Sequence, residues 1–206
     1  MAVPLLDLTR QYQTLRDDVR AVLDGVCDSQ RFILGPEVEA FERESAAWLG
    51  AHHAVGMSSG TDALLIALMA LNVGRDDEVI VPTFTFFATA GVVARLGARP
   101  VFVDVDPVDY CMDPAQLTAT IGPRTKAIMP VHLFGQAADV ERIRAAAGEV
   151  PVLEDCAQSW GATFHGRQTG TMGMMGAFSF FPSKNLGGFG DGGMVTTDDD
   201  RLAALL

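Results

Sequence analysis

Gly176-Ala-Phe-Ser-Phe-Phe-Pro-Ser-Lys184-Asn-Leu-Gly-Gly-Phe-Gly-Asp-Gly-Gly193 begins as an apolar run and ends as a glycine-rich loop, with one lysine at the junction. The run reads as a buried strand. Lys184 has uncharged neighbours on both sides, so it belongs to no helix-surface or ion-pair pattern. Upstream, Val152-Leu-Glu-Asp155-Cys-Ala-Gln158 is a second apolar run, and this one ends in carboxylates. Two strands that each deliver an ionisable group past their ends predict a sheet with a functional edge.

The rest of the chain extends that pattern. Short apolar runs recur at Ala54–Met57, Val79–Val81, Pro100–Val103, Ala127–Val131, Pro151–Leu153, Ala177–Phe181 and Met194–Thr196. Helical stretches separate many of them, at Asp62–Leu71, Phe87–Leu96, Pro114–Ile121 and Ala138–Gly148, and two more precede the first run, at Gln13–Val26 and Glu37–Leu49. Pro36 suits the first turn of the helix it opens. Alternation of this kind predicts an α/β domain, an α-β-α sandwich around a mostly parallel seven-stranded sheet. Ligands in such sheets bind beyond the carboxyl ends of the strands. Ser59 to Thr61, Phe84 to Phe86, Asp155 and Lys184 all fall there, which predicts one shared site.

Composition narrows the partners. The 206 residues are 49% hydrophobic and 20% charged, a globular balance. A net charge of −11 disfavours nucleic acid and anionic membrane surfaces, both of which would be repelled at long range. A phosphorylated ligand stays open, because a nest of backbone N–H groups holds phosphate on an acidic protein. The start lacks a signal-peptide pattern, and no apolar run reaches the ~18 residues of a membrane span. Cys27, Cys111 and Cys156 are odd in number, widely spaced and without zinc-ligand spacing, which fits a reducing cytoplasm and predicts no metal site.

Four segments carry candidate chemistry. Ser58-Ser59-Gly60-Thr61-Asp62-Ala-Leu64 opens a helix after a strand, either as a phosphate-holding N-terminus or as an ordinary N-cap supplied by Thr61 or Asp62. Phe84, Phe86 and Phe87 cluster around Thr85 at a strand end; one ring could stack on a planar ligand, and core packing is expected for at least one of the three. Glu154 and Asp155 point to opposite faces of an extended backbone, so one of them faces the site. Glu154 is expected to be a helix cap or a surface acid, and Gln158 either bonds a ligand or lies at the surface. Ser179 and Ser183 flank the approach to Lys184, and a buried hydroxyl there needs a partner, a phosphate or a backbone carbonyl. Lys126 and Lys184 are the only lysines, and Lys126 precedes its strand, at the opposite edge of the sheet. His132 follows the fourth strand and either lines the site or is satisfied within the fold; His165 reads as a turn. A lysine amine and a carboxylate, each at the end of a strand, are what pyridoxal 5′-phosphate requires, the amine for a Schiff base and the carboxylate for the pyridinium nitrogen.

Ser59-Gly-Thr-Asp-Ala-Leu64, Pro82-Thr-Phe-Thr-Phe86, Glu154-Asp155-Cys-Ala-Gln158 and Phe178-Ser-Phe-Phe-Pro-Ser-Lys184-Asn, in this order, resemble the DegT/DnrJ/EryC1/StrS sugar aminotransferases, within the fold-type I pyridoxal phosphate enzymes. The resemblance implies that residues 1–206 are the cofactor-binding large domain. It implies that Gly60, Thr61 and Ser179 hold the phosphate, with Ser59 among the cofactor-binding residues, that Phe86 stacks on the ring and that Asp155 pairs with its nitrogen. Gln158 would lie near the ring hydroxyl, and Lys184 would form the Schiff base and shuttle the proton. The implied reaction moves an amino group from L-glutamate to a keto group of a nucleotide-linked sugar, in the cytoplasm and in a homodimer.

Members that dehydrate sugars carry histidine where Lys184 stands, so the lysine points to transamination. The loop with Asp191 is more similar to the branch that aminates 3-keto sugars; the 4-keto branch more often has glutamate there. The family's small C-terminal domain has no counterpart here. Asp198 to Leu206 reads as a helix start that stops short, so the expectation is a truncated chain with little turnover of its own. The alternatives are another fold-type I reaction, such as an aldolase or lyase, and a non-catalytic or regulatory relative that binds the cofactor or a sugar.

Overall fold

The computed structural model describes residues 3–206. Residues up to Phe41 form one compact unit and Glu42–Leu206 another. The first contains helix α1 (Thr9–Ser29), which ends where Gln30 takes a left-handed conformation at φ 58°. None of its residues is buried, so Leu15, Val22 and Leu23 lie exposed along the helix. Helix α2 (Pro36–Leu49) starts at the proline, with Glu37 and Glu39 in its first turn, where acids complement the helix dipole.

Strands and helices then alternate: β1 (His53–Met57), α3 (Gly60–Ala70), β2 (Glu78–Pro82), α4 (Phe87–Arg95), β3 (Arg99–Val103), α5 (Leu117–Thr120), β4 (Thr125–Ile128), α6 (Val140–Ala147) and β5 (Leu153–Asp155). A small hairpin of β6 (Thr163–Phe164) and β7 (Arg167–Gln168) follows, turning through His165 and Gly166, both at positive φ as a tight hairpin demands. The chain returns through β8 (Met175–Ser179) and β9 (Gly193–Thr197) to α7 (Asp200–Ala203), capped by the Asp199 carboxylate.

Two ladders, β1-β9-β8-β5 and β3-β2-β4, make the main layer. Parallel bridges from Ile128 to Val152 and from Val131 to Asp155 set β4 beside β5, giving seven strands in the order β1-β9-β8-β5-β4-β2-β3. All pairs are parallel except those made by β9, which runs against both β1 and β8.

The pleat explains why strands this apolar are needed. In β2, Val79 and Val81 pack with Leu64 and Leu68 of α3 and Val92 and Val93 of α4. Ile80 points the other way, to Leu117 of α5 and Ile143 of α6. A sheet with helices on both faces buries both sides of its central strands, so those strands read as continuous apolar runs. The α-β-α sandwich and its mostly parallel sheet are therefore as the sequence pattern predicts. Among the described residues no helix is long and apolar enough to cross a membrane.

Candidate functional site

A cavity of about 460 Å³ opens beyond the carboxyl ends of the parallel strands. Its walls include Ser59, Gly60, Thr61, Phe86, Asp155, Gln158, Ser179 and Lys184, so all eight residues singled out in the sequence meet at one place. Ser183 and Asp191 also border it, with Leu64, Val131 and Leu133 as apolar wall.

One end of the cavity is the start of α3. Ser59 is the N-cap: its hydroxyl accepts the Asp62 N–H at 3.0 Å. The cap is thus neither Thr61 nor Asp62; the Asp62 carboxylate is itself occupied, accepting from Ser58 Oγ at 2.5 Å and from Ser59 Oγ at 3.1 Å. The N–H groups of Gly60 and Thr61 precede the intrahelical ladder, the position from which helices bind anions. Gly60 is required by packing, because a Cβ there would collide with Cβ of Ser179. Helix start and strand end are pressed together, which sets Ser179 beside the free end of the helix.

Asp155, the last residue of β5, is buried. Its Oδ2 accepts from Thr89 Oγ1 at 2.9 Å and its Oδ1 from the Ala157 N–H at 3.2 Å. Burial pushes this carboxyl above its ordinary pKa, opposed by the Thr89 and Ala157 donors and by the charge of Lys184. Lys184 is half-buried in the turn after β8, its N–H bonded to the Phe181 carbonyl at 2.8 Å. Burial pulls its amine below the ordinary lysine range, against the pull of Asp155. Both shifts favour neutral forms, as expected of an amine and a carboxyl facing a partly desolvated cavity.

Gln158 has its amide direction fixed. Oε1 accepts the Phe134 N–H at 2.7 Å, so the amide NH2 is left as the donor toward the cavity. Phe134 sits at φ 55°, a conformation uncommon for a bulky residue and held here by that bond and the turn around it.

Two expectations need correction, and His132 takes the second of its two alternatives, satisfied within the fold. Glu154 is not a cap or a surface acid: it is fully buried, and its carboxylate accepts from Gly170, Met172 and Gly173 N–H groups at 2.9, 2.7 and 2.6 Å and from His132 Nε2 at 2.8 Å. Burial would raise its pKa, but the His132 and backbone donors outweigh it and hold the carboxyl below its ordinary value. His132 is likewise fully buried and outside the cavity, its Nδ1 accepting the Ala138 N–H at 3.0 Å. Finally, none of Phe84, Phe86 and Phe87 is core; all three are exposed, and Phe86 borders the cavity.

His132, Glu154 and Cys156 also gather their ligating atoms within 4.8 Å of one another. Both ring nitrogens and both carboxylate oxygens are already bonded within the protein, and burial raises the Cys156 thiol well above its ordinary pKa. A thiol held protonated and a carboxylate saturated with donors suit a hydrogen-bonded knot rather than a cation. Thr85 and Thr89 are assigned no role from the sequence, and their hydroxyls lie 2.8 Å apart behind Asp155. Their i, i+4 spacing at a helix start was the one available clue.

Comparison with known proteins places this arrangement. The sequence profile of the DegT/DnrJ/EryC1/StrS aminotransferase family matches residues 13–206. The chain belongs to that family. It is 53% identical over 205 residues to a "Pleiotropic regulatory protein" of Geobacillus stearothermophilus, covering 98% of this chain and 55% of that protein. It is 52% identical over 203 residues to a UDP-N-acetyl-3-dehydro-alpha-D-glucosamine 3-aminotransferase of Acidithiobacillus ferrooxidans, with the same two coverages. Among solved structures it resembles Streptomyces venezuelae DesV, determined in complex with a ketimine intermediate, at a TM-score of 0.94 and 46% identity over 98% of this chain and 55% of that one. The chain thus spans about half the length of the relatives it matches.

Proposed function

We propose that this chain is the cofactor-binding large domain of a pyridoxal 5′-phosphate-dependent aminotransferase that acts on a nucleotide-linked keto-sugar. The observation that carries the reading is the meeting, in one cavity, of the Lys184 amine, the buried Asp155 carboxylate and the start of α3. The donor set fits the cofactor's three chemical ends. Gly60 and Thr61 N–H groups with the Ser179 hydroxyl would hold its phosphate, Asp155 its ring nitrogen, and the Gln158 NH2 its ring oxygen. Phe86 would cover one ring face, and Lys184 would anchor the aldehyde carbon.

The bound cofactor supplies an electron-withdrawing ring that acidifies the C–H bond beside an attached amine. The protein supplies the rest. Asp155 keeps a positive ring nitrogen favourable in a site where burial alone would disfavour its own charge. Lys184, with a pKa drawn down by burial, would be the base that takes the proton from the amino donor's Cα, holds it on its amine and gives it up on the far side of the donor nitrogen. We take L-glutamate as donor and a 3-keto sugar as acceptor; the name of the Acidithiobacillus relative supports the position of amination. The relatives run to nearly twice this length, so turnover is proposed for the full-length protein, as a cytoplasmic homodimer with a smaller C-terminal domain.

A regulatory role is the second reading, supported by the name of the Geobacillus relative. A sensor has no need of a base with a lowered pKa beside a buried acid, which favours catalysis. The test is incubation of the full-length protein with L-glutamate and UDP- or dTDP-linked 3-keto- and 4-keto-hexoses, with 2-oxoglutarate and amino-sugar measured together. Stoichiometric formation of both from the 3-keto sugar is expected. No transfer to any of them by a cofactor-loaded protein would overturn the aminotransferase reading.

A further inference from the structure

Behind Asp155 lies a short chain of hydroxyls. Thr89, in the first turn of α4, is fully buried and lies outside the cavity wall. Its Oγ1 is 2.9 Å from Asp155 Oδ2 and 2.8 Å from Thr85 Oγ1. Thr85 is partly exposed and borders the cavity. The direction of this chain follows from donor arithmetic. In the ionised state that a ring cation requires, the Asp155 carboxylate only accepts, so Thr89 spends its single proton on it and Thr85 donates to Thr89. Both hydrogen-bonding capacities of Thr89 that the fold offers are then used, and the hydroxyl has no freedom to turn away.

We propose that Thr89 is a positioning residue, the buried link of a Thr85–Thr89–Asp155 chain that holds the Asp155 carboxylate turned to the cavity as an acceptor for a cationic ring nitrogen. The inference rests on the pyridoxal phosphate reading above and deepens it. Among the described residues the other donor to the carboxylate is the Ala157 N–H at 3.2 Å, so Thr89 makes the shorter hydrogen bond. A buried carboxylate stripped of that donor favours its neutral acid, and a neutral acid no longer stabilises a protonated ring. Thr89 touches no ligand; its effect passes through Asp155. The fold holds it there at a definite expense, because a threonine hydroxyl inside a buried helix turn has to be bonded.

The test compares wild-type full-length protein with Thr89→Val, which keeps the shape and removes the hydroxyl, and Thr89→Ser, which keeps the hydroxyl. Each is loaded with pyridoxal phosphate labelled with 15N in the ring, and the ring-nitrogen shift is read by NMR with the cofactor dissociation constant. The expected result is a wild-type signal for Thr89→Ser. For Thr89→Val the signal moves toward the unprotonated position, with affinity weaker by on the order of 10- to 100-fold, as for loss of a hydrogen bond to a charged group. An unchanged ring signal and affinity in Thr89→Val overturns the proposal. If Thr89→Val does not fold, Thr85→Val removes the outer donor and is read the same way: a smaller shift in the same direction is expected, and none overturns the chain. Borohydride reduction of the wild type separates the two layers. No adduct on Lys184 refutes the cofactor reading and this inference with it; an adduct with no Thr89 effect refutes the inference alone.

Discussion

Replacing Glu154 with glutamine changes one atom at the centre of the fold. The carboxylate accepts four hydrogen bonds, two on each oxygen: Met172 and Gly173 N–H on Oε1, His132 Nε2 and Gly170 N–H on Oε2. Whichever oxygen becomes NH2, two buried donors are left facing another donor. His132 cannot turn the other nitrogen toward the gap, because Nδ1 is held by the Ala138 N–H. An orphaned buried donor costs about 1–3 kcal/mol, so the two together cost about 2–6 kcal/mol. Relief from burying a charge offsets part of this, leaving a net loss of about 3 kcal/mol.

Denaturant unfolding of the full-length protein reads the loss, with Trp160 as a natural probe, since it packs edge-on against Phe178 and Phe180 beside the site. The pH dependence follows from the depressed pKa of Glu154. Its contribution is fully present above the ordinary glutamate range and is lost as pH falls through the folded value. The gap between wild type and Glu154→Gln should therefore narrow on acidification. A loss under about 1 kcal/mol at neutral pH, or a gap that does not narrow, would show that the carboxylate is not the organising acceptor of the 170–173 loop.

Other outcomes follow from the same geometry. Gly60→Ala should lower stability by about 1–3 kcal/mol through overpacking against Ser179, and weaken phosphate binding more than Thr61→Ala does; calorimetry and inorganic phosphate titration measure the two effects. Gln158→Leu removes the proposed donor to the ring oxygen as well as the acceptor of the Phe134 N–H, so cofactor affinity should fall roughly 10-fold with the fold retained, as fluorescence titration and circular dichroism would show. Lys184 in the cofactor-free protein should acylate with a pH midpoint below that of ordinary lysines. Asp155→Asn should move that midpoint lower still, because it removes the one charge that opposes the shift; an upward movement would contradict the assignment.

The layer order and the site's location were legible because a doubly covered sheet demands continuous apolar strands, and the loops after them must carry the polar chemistry. Lys184 stood out through its uncharged neighbours, and Asp155 through its place at a strand end. Glu154 was misjudged because pleat alternation says only that it faces away from Asp155. The polar interior it meets is made of backbone N–H groups from residues 170–173, which no side-chain pattern announces. Thr89 was hidden for a related reason: its partner is 66 positions away, and a threonine in a helical turn has no signature of its own. At least one of the phenylalanines near residue 86 was expected in the core, yet the strand ends before them and leaves the rings at the cavity mouth and the surface.

The central claim is that Lys184 is the amine that captures the cofactor. The direct measurement is borohydride reduction of the full-length protein with pyridoxal 5′-phosphate, followed by peptide mass mapping. A phosphopyridoxyl group on Lys184, absent from Lys126 and lost in Lys184→Ala, is the predicted result. A folded protein with no adduct, or with the adduct elsewhere, would contradict the assignment and leave a ligand-binding, non-catalytic role in front.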